Sequence, residues 1–179
     1  TAGPTFEAID PVRGITNLSS GKMGFAIARA AREAGADVTL VAGPVHLPTP
    51  RGVRRVNVQS AQEMLVTVDM HVQSASVFIA TAAVADWRPA AAATEKIKKD
   101  GSGQTPVLGF VENPDILATV ARSTRAVAGD LFCVGFAAES HDLLAHATAK
   151  RARKGVPLLV GNIGPATFGQ DDNALLLVD

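Results

Sequence analysis

The stretch SSGKMGFAIARAAREAGADVTLVA, residues 19–42, contains the clearest fold signal in the chain. Its apolar residues recur at helical spacing, Ser19 or Ser20 can cap the first turn, and Gly35 can end the last, which predicts an amphipathic helix. The apolar run at 38–42 follows directly and predicts a buried strand. A helix that leads straight into a buried strand is typical of a domain whose helices cover a sheet.

The rest of the chain repeats this alternation of strands and helices. Apolar runs predict strands at residues 53–58, 77–80, 107–111, 131–136, 158–161 and 175–178, and helical patterns cover residues 61–72, 113–125 and 141–154. Such alternation favours a mostly parallel sheet with helices on both faces, so we predict a Rossmann-like α/β fold. We expect a single domain over residues 1–179. Thr1-Ala2-Gly3 looks like the end of a strand, so both ends are expected to be truncated.

The composition is that of an ordinary soluble globular protein, with 47% hydrophobic and 19% charged residues. Seventeen basic and seventeen acidic residues give a formal net charge of zero, which disfavours nucleic acid and membrane surfaces as partners. Cys133 is the only cysteine and lies in an apolar run, so we expect a buried structural thiol. A chain without disulfides fits the reducing cytoplasm, and no run approaches the ~20 apolar residues of a membrane span.

The polar segment at residues 10–24, DPVRGITNLSSGKMG, precedes the first predicted helix, where α/β folds commonly bind phosphate. Free backbone N–H groups and small neighbouring residues would accept an anion there. A capped helix after a polar loop explains the same residues. The spacing is not the G-x-G-x-x-G fingerprint of dinucleotide enzymes, and it is not a P-loop because no Ser or Thr follows Lys22. Both interpretations stay open.

Small residues at 82–85 follow the predicted strand at 77–80 and lead to Asp86. Small side chains would let a flat ligand approach the backbone, whose N–H and C=O groups can bind the edge of a base. Asp86 could hold Mg²⁺ beside phosphate oxygens, since hard cations prefer carboxylate ligands. An Asp in this position can equally cap the following turn.

Lys96 belongs to a charged run, EKIKKD at residues 95–100, within a long connection at 87–106 that is expected to be flexible. Charge runs are usually solvated surfaces. A lysine on a long connection could instead swing onto a polyphosphate, exclude water and stabilise developing charge.

The predicted helix at 141–154 ends with four cations in five residues, and Lys150 and Lys154 share one face of it. Cations favour a helix C-terminus in any case. Helix C-termini normally lie at the sheet edge opposite the ligand crevice, so spacing alone does not assign these lysines a ligand. Phe136, at the end of a predicted strand, is either a core residue or a surface on which a base stacks.

Six segments of the chain together resemble phosphopantothenate–cysteine ligase, also called phosphopantothenoylcysteine synthetase. They are Asp10-Pro11-Val12-Arg13, the run from Asn17 to Gly24, Ala82-Ala83-Val84-Ala85-Asp86, Lys96-Ile97-Lys98-Lys99, Asn113-Pro114-Asp115-Ile116 and Gly135-Phe136-Ala137-Ala138-Glu139. Each is weak alone, but six in this order make a specific resemblance. In many bacteria such a ligase is the C-terminal half of a bifunctional protein whose N-terminal half is a flavin-dependent decarboxylase.

The resemblance implies a two-step reaction in coenzyme A biosynthesis. The carboxylate of 4′-phosphopantothenate attacks the α-phosphate of CTP, which gives an acyl-cytidylate and pyrophosphate. The amine of L-cysteine then displaces CMP. Mg²⁺ or Mn²⁺ is implied as the cofactor, and FMN only where the decarboxylase half is present. A homodimer is implied as well, and relatives outside the bacteria use ATP in place of CTP.

The resemblance also implies roles for particular residues. Asn17 would hold the acyl-cytidylate, Arg13 would assist the cysteine step, and Lys96 would reach the phosphates during activation. Asp86 would serve the cation and phosphates. The remaining nucleotide contacts would come from Ala80, Thr81, Ala82, Pro114, Asp115, Ile116, Leu117, Phe136, Lys150 and Lys154.

The chain departs from the family pattern at Phe6, where Arg is common, at Gly14, where an aromatic residue is common, and at Leu18, where a polar or basic residue is frequent. The missing cations affect the expected recognition of the substrate phosphate. An NAD(P)-dependent Rossmann-type reductase is an alternative, but it requires an acidic residue after the second strand, which here ends in Ala42-Gly43-Pro44. A non-catalytic nucleotide-binding module would leave the Asn17, Asp86 and Lys96 constellation without a role.

Overall fold

The computed structural model describes residues 1–99, 101, 103–163 and 172–179. Most predicted strands and helices are present, but a β-hairpin of two strands, Phe6–Asp10 and Arg13–Thr16, which the sequence did not predict, precedes the first helix. Their bounds are β1 Phe6–Asp10, β2 Arg13–Thr16, α1 Lys22–Glu33, β3 Thr39–Ala42, β4 Arg54–Asn57, α2 Ala61–Val72, β5 Val77–Ala80, β6 Trp87–Pro89, β7 Phe110–Glu112, α3 Ile116–Ala121, α4 Thr124–Val127, β8 Phe132–Glu139, α5 Leu143–Lys154, β9 Leu158–Ile163 and β10 Leu176–Val178.

The central sheet is mostly parallel, which confirms the predicted α/β fold. Strands β5, β8 and β9 pair in parallel, β10 pairs with β9 antiparallel, and β3 pairs with β4 in parallel. Residues 1–5 connect these two groups, because Ala2 bridges to Ala42 and Pro4 bridges to Ala83, both in parallel. The resulting order is β4, β3, residues 1–5, β5, β8, β9, β10. Its six parallel members follow the 3-2-1-4-5-6 order of the Rossmann fold.

Two antiparallel pairs stand outside this sheet. Strands β1 and β2 form a hairpin after residue 5, and β6 pairs with β7 across the long connection. The predicted excursion at 87–106 therefore begins with a paired strand, and the strand predicted at 107–111 starts only at Phe110. Residues 87–89 of this connection are paired, since Trp87 pairs with Glu112 and Pro89 with Phe110.

Helix α1 begins differently from the prediction. Its N-cap is Gly21, which lies in the left-handed region at φ 77° and has no side chain to cap the helix, and Ser20 accepts only a long hydrogen bond, 3.4 Å, from the Lys22 N–H. A Cβ at this position would lie 3.1 Å from Val45 and 3.3 Å from the Cα of Gly3, so the tight approach of the first segment favours glycine over a serine cap. Gly35, at φ 94°, follows the last turn as expected.

The helix predicted at 113–125 is two short helices. Asp115 is the N-cap of α3, since its carboxylate accepts a hydrogen bond from the Ala118 N–H at 3.0 Å. A second cap at Ser123 starts α4 by accepting from the Ala126 N–H at 3.3 Å. Competing caps within one apolar stretch thus divide the predicted helix.

Two hydrophobic clusters stabilise the fold. The larger lies between β5, β8 and helices α2 and α3 and includes the fully buried Met64 and Leu159. The smaller packs Phe25 of α1 against Leu40 and Ala2. Burying each large apolar side chain contributes about 1.5–3 kcal/mol before entropy is counted. Cys133 is buried in the larger cluster, which confirms the structural thiol. Within the described residues, none of the helices has the length and apolarity to cross a bilayer.

Candidate functional site

A cavity of about 1340 Å³ opens beyond the carboxyl ends of β5, β8 and β9, beside residues 1–5. This is the point where the strand order reverses, and ligands of doubly wound folds bind there. Eleven residues predicted to contact a nucleotide line it together, namely Ala80, Thr81, Ala82, Asp86, Pro114, Asp115, Ile116, Leu117, Phe136, Lys150 and Lys154. Segments far apart in sequence thus form one site.

The small-residue wall at 80–86 is held by the first segment of the chain. The N–H groups of Ala82, Ala83 and Ala85 donate to Thr1 Oγ1, Gly3 O and Thr5 Oγ1 at 3.2, 2.9 and 3.0 Å, respectively. These backbone donors are therefore already used and are not available to a base. The methyl side chains of this wall allow the close approach that the sequence indicated.

Lys150 is a half-buried cation in the cavity wall. Burial lowers the pKa of Lys150, and the positive charges of Lys154 and Arg153 lower it further, while the carboxylates of Glu139 and Asp86 oppose this effect. A cation that is partly desolvated in the free protein gains more from an incoming polyanion than an exposed lysine does.

Lys154 contacts the carboxylate of Asp115, and its side chain is only 17% exposed. Burial acts to raise the pKa of Asp115. The hydrogen bonds from Lys154 and Ala118, together with the charges of Lys154 and Arg122, outweigh burial and hold that pKa below its usual value. Helical spacing alone did not place the α5 lysines at the crevice, whereas the family resemblance implied nucleotide contacts for them. The structure brings Lys154 there because α3 begins at the cavity rim and its cap reaches α5.

Phe136 is half-buried in β8 and presents its ring to the same cavity. Strand β8 runs three residues beyond the predicted end, to Glu139, which places a carboxylate near Lys150. An aromatic surface, two lysines and small side chains in one crevice form a combination suited to a base and its phosphates.

The N-terminus of α1 borders the cavity through Ser19, Ser20, Gly21 and Lys22. Gly24 lets this helix pack closely, since a Cβ there would lie 2.5 Å from both Ala2 and Thr81. The helix end therefore lies directly beside the small-residue wall, where its N–H groups point to the place at which a helix N-terminus binds an anion.

The three predicted catalytic residues lie outside the cavity lining. Asn17 contacts the cavity lining directly, because its Nδ2 donates to the carbonyl of the lining residue Ala83 at 3.0 Å. Arg13 binds the Asp10 carboxylate and the carbonyl of Ile97, the latter at 2.7 Å. Lys96, next to Ile97, is exposed.

The family model of the DNA/pantothenate metabolism flavoprotein C-terminal domain matches residues 1–179. The chain belongs to this family. It is 53% identical over 180 aligned residues to the coenzyme A biosynthesis bifunctional protein CoaBC of Vibrio cholerae, covering 99% of the chain and 44% of the relative. It is 50% identical over 183 aligned residues to CoaBC of Escherichia coli, with the same coverage of both. The chain thus spans less than half the length of these relatives.

A solved structure supports the same assignment. The crystal structure of the C-terminal domain of a CoaBC protein superposes with a TM-score of 0.77 at 38% identity, covering 99% of this chain and 83% of that one. The reductase alternative receives no support from these relatives.

The sequence did not predict a further wall of the cavity. It is formed by Leu47, Pro48, Thr49 and Pro50. Arg55 fastens this wall by donating to the carbonyls of Leu47 and Val45 at 2.7 and 3.2 Å, and its guanidinium lies 5.0 Å from the centre of the Phe25 ring. The only feature of the sequence that could have indicated this wall is the run Pro48-Thr49-Pro50.

Asn113 and Asp10 received no individual role from the sequence, yet both organise the site. The Asn113 side chain donates to the Ala85 carbonyl at 2.8 Å and so ties the small-residue wall to α3. Asp10 is buried and binds Arg13. Their signal in the sequence is a polar residue beside proline, which is common in turns and therefore not specific.

Two departures from the family pattern are related in space. The Phe6 ring lies over Gly14, where a Cβ would approach the ring carbon Cε1 to 2.6 Å. The Phe6 ring thus occupies the space that a side chain at position 14 would need. Leu18 is 86% exposed and adds no cation to the cavity.

Proposed function

We propose that residues 1–179 form a ligase domain that joins 4′-phosphopantothenate to L-cysteine through an acyl-cytidylate made with CTP. The observation that carries the proposal is the convergence of Lys150, Lys154, Asp86 and Phe136 on one cavity at the switch point of the sheet. The named role of the CoaBC relatives in coenzyme A biosynthesis supports it.

Activation requires that two anions meet. The carboxylate of 4′-phosphopantothenate attacks the α-phosphorus of CTP, the P–O bond to the β-phosphate breaks, and pyrophosphate leaves with the electron pair. Lys150 and Lys154 would neutralise the triphosphate, and Lys96 would move onto the phosphates as charge develops on the leaving group. The Lys154–Asp115 contact would exchange for a phosphate contact.

In the second step, the amine of L-cysteine attacks the acyl carbonyl, loses a proton and expels CMP. Asn17 lies against the small-residue wall through Ala83, where an amide could hold the acyl-cytidylate. Arg13 would assist this step from the β2 end of the hairpin. An amide offers a donor to the developing oxyanion without adding a charge.

A divalent cation fits this site only as a partner of the phosphates. Among the described residues, no group of three or more His, Cys, Asp or Glu side chains could hold a metal ion by itself. Asp86 would supply one carboxylate, and the nucleotide and water would supply the rest, which is the coordination that Mg²⁺ prefers. Mn²⁺ accepts the same ligands.

The proposal extends to the wider setting of the domain. The proposed partners are the small-molecule substrates, a second copy of the chain in a homodimer, and a fused flavin-dependent decarboxylase that carries FMN. The proposed location is the cytoplasm. Neither nucleic acid nor a membrane is proposed as a partner, given the formal net charge of zero.

Pyrophosphate release tests the proposal directly. The protein is incubated with CTP or ATP and Mg²⁺, with and without 4′-phosphopantothenate, before cysteine is added. We expect release that depends on CTP and phosphopantothenate, followed by CMP and phosphopantothenoylcysteine when cysteine is present. CTP binding without pyrophosphate release would favour the non-catalytic module, and NADPH oxidation would favour the reductase.

A further inference from the structure

We infer that Asp10 is a positioning residue that, together with Arg13, fixes the backbone of Ile97 and thereby places Lys96 for its reaction. This inference deepens the proposed function and rests on it for the role of Lys96. The anchor itself is a matter of geometry and can be tested separately.

Asp10 is a buried carboxylate, 2% exposed, at the end of β1. Its Oδ1 accepts from the N–H groups of Val12 and Arg13, both at 2.9 Å, which shapes the turn into β2. Its Oδ2 accepts from the Arg13 side chain, at 2.9 Å from Nε and with a short contact from Nη2, and from the Ile97 N–H at 3.1 Å. One oxygen thus serves the local turn and the other serves a residue 87 positions away.

Ile97 is held at both polar groups of its backbone. Its N–H donates to Asp10, and its carbonyl accepts from Arg13 Nη2 at 2.7 Å. A second tether lies four residues earlier, where the Ala93 N–H donates to the Ile9 carbonyl at 2.8 Å. The exposed Lys96 lies between these two tethers, so the end of β1 determines where its side chain starts.

The ionised form of Asp10 maintains this arrangement. The hydrogen bond from Arg13 is the main reason that the pKa of Asp10 lies well below its usual value, with the N–H groups of Val12 and Ile97 also contributing against a burial penalty. The carboxylate is therefore charged at neutral pH, and charge-assisted hydrogen bonds are the stronger kind. A protein that needed only a turn at residues 10–13 would not require the second oxygen.

Glu7 provides the comparison. It is a second buried carboxylate on β1, and its Oε1 accepts from the Ala61 N–H at 2.9 Å, which ties the strand to α2 and not to the lysine segment. A change at Glu7 therefore perturbs a buried acid of the same strand without touching Ile97.

The test compares Asp10→Asn with Glu7→Gln in the pyrophosphate assay. Asparagine can keep the turn with its carbonyl oxygen, but its amide would face the Ile97 N–H and the Arg13 guanidinium, which are donors. We expect a fall of about 10²-fold in kcat for pyrophosphate release, because misplacing a reacting group by about 1 Å has that effect, with a CTP KM changed less than about threefold. Glu7→Gln should stay within about threefold of wild type in both values. Asp10→Asn at the wild-type rate would overturn the inference.

Hydrogen exchange separates the anchor from the proposed function. Loss of protection at the Ile97 amide in Asp10→Asn, with the thermal midpoint unchanged, is expected whether or not CTP is the nucleotide. Unchanged protection there would overturn the anchor. If wild type releases no pyrophosphate, the proposed function fails while the exchange result still stands. If Asp10→Asn does not fold, replacing the amide of Ile97 by a backbone ester removes the N–H donor and keeps the isoleucine side chain, and this variant must reproduce the same kcat loss.

Discussion

The Lys154 ammonium contacts the Asp115 carboxylate, and that same carboxylate caps helix α3 through the Ala118 N–H. One acidic side chain therefore serves both the fold and the cavity. In the proposed ligase, a triphosphate would replace Asp115 as the partner of Lys154, so the ion pair keeps a buried cation in place until the nucleotide arrives. Such a pair restrains the lysine more than it stabilises the protein.

Asp115→Ala should lower both stability and CTP affinity. We expect a loss of about 1 kcal/mol in the free energy of unfolding, the usual effect of removing a cap, measured by urea denaturation. Ser123→Ala is the matched control, since Ser123 caps α4 and is not part of the cavity lining. Ser123→Ala should lose a similar amount of stability, while its affinity for CTP, measured by calorimetry, should be unchanged. Equal CTP affinities in the two variants would contradict the role of Asp115.

Lys150→Met should stabilise the protein at neutral pH while it weakens CTP binding. Because burial lowers the pKa of Lys150, the folded state binds the proton less well than the unfolded state does, and the charged lysine costs stability at neutral pH. That cost is relieved only as the pH rises through the lowered pKa toward the ordinary value of 10.5.

The measurement for this variant is urea unfolding between pH 7 and pH 10.5, the latter being the ordinary lysine value. We expect the free energy of unfolding of Lys150→Met to exceed that of the wild type by roughly 0.5–1 kcal/mol at pH 7, a common gain when a strained functional group is removed. This difference should shrink at higher pH. Arg54→Met, which removes an exposed cation of β4 that does not act on the pKa of Lys150, should show no such gain. A gain for Lys150→Met that grows with pH would have the wrong sign.

Lys96→Gln should abolish formation of the acyl-cytidylate. The ammonium is the group expected to stabilise charge on the leaving pyrophosphate, and glutamine keeps a polar side chain, one atom shorter than that of lysine, without the charge. We expect pyrophosphate release to fall by at least about 10²-fold. Lys98→Gln, exposed on the same segment, should stay near wild type. Wild-type release from the Lys96 variant would remove this residue from the mechanism.

Much of the fold could be predicted because its signals are local. Helix α2 and strand β5 have the predicted bounds. The helix begins where its apolar pattern follows the Ser60 cap, and the strand is a short apolar run. The cap of α1 could not be predicted, because it depends on Gly21 passing beside Val45 and Gly3, residues distant in sequence. Local serines were available, but tertiary packing decided the start of the helix.

The site shows the same division. Asp86, Phe136 and the lysines of α5 could be named from motifs and family resemblance, and the cavity brings them together. The wall at residues 47–50 and the anchoring of Ile97 by Asp10 could not, because each depends on hydrogen bonds between segments with no common pattern. Pairing of a side chain with a distant backbone leaves almost no trace in a single sequence.

Asn17→Asp should allow activation but impair the handling of the intermediate. The Asn17 amide donates to the Ala83 carbonyl at 3.0 Å, and a carboxylate in its place would repel both that carbonyl and the phosphate of the acyl-cytidylate. We expect a burst of pyrophosphate close to the wild-type amplitude, followed by CMP release slowed by about 10²-fold when cysteine is present. Leu18→Ala, at an exposed neighbouring position, serves as the control and should leave both phases unchanged. Loss of the pyrophosphate burst in Asn17→Asp would place Asn17 in the activation step, because the first bond-forming event would then depend on its amide.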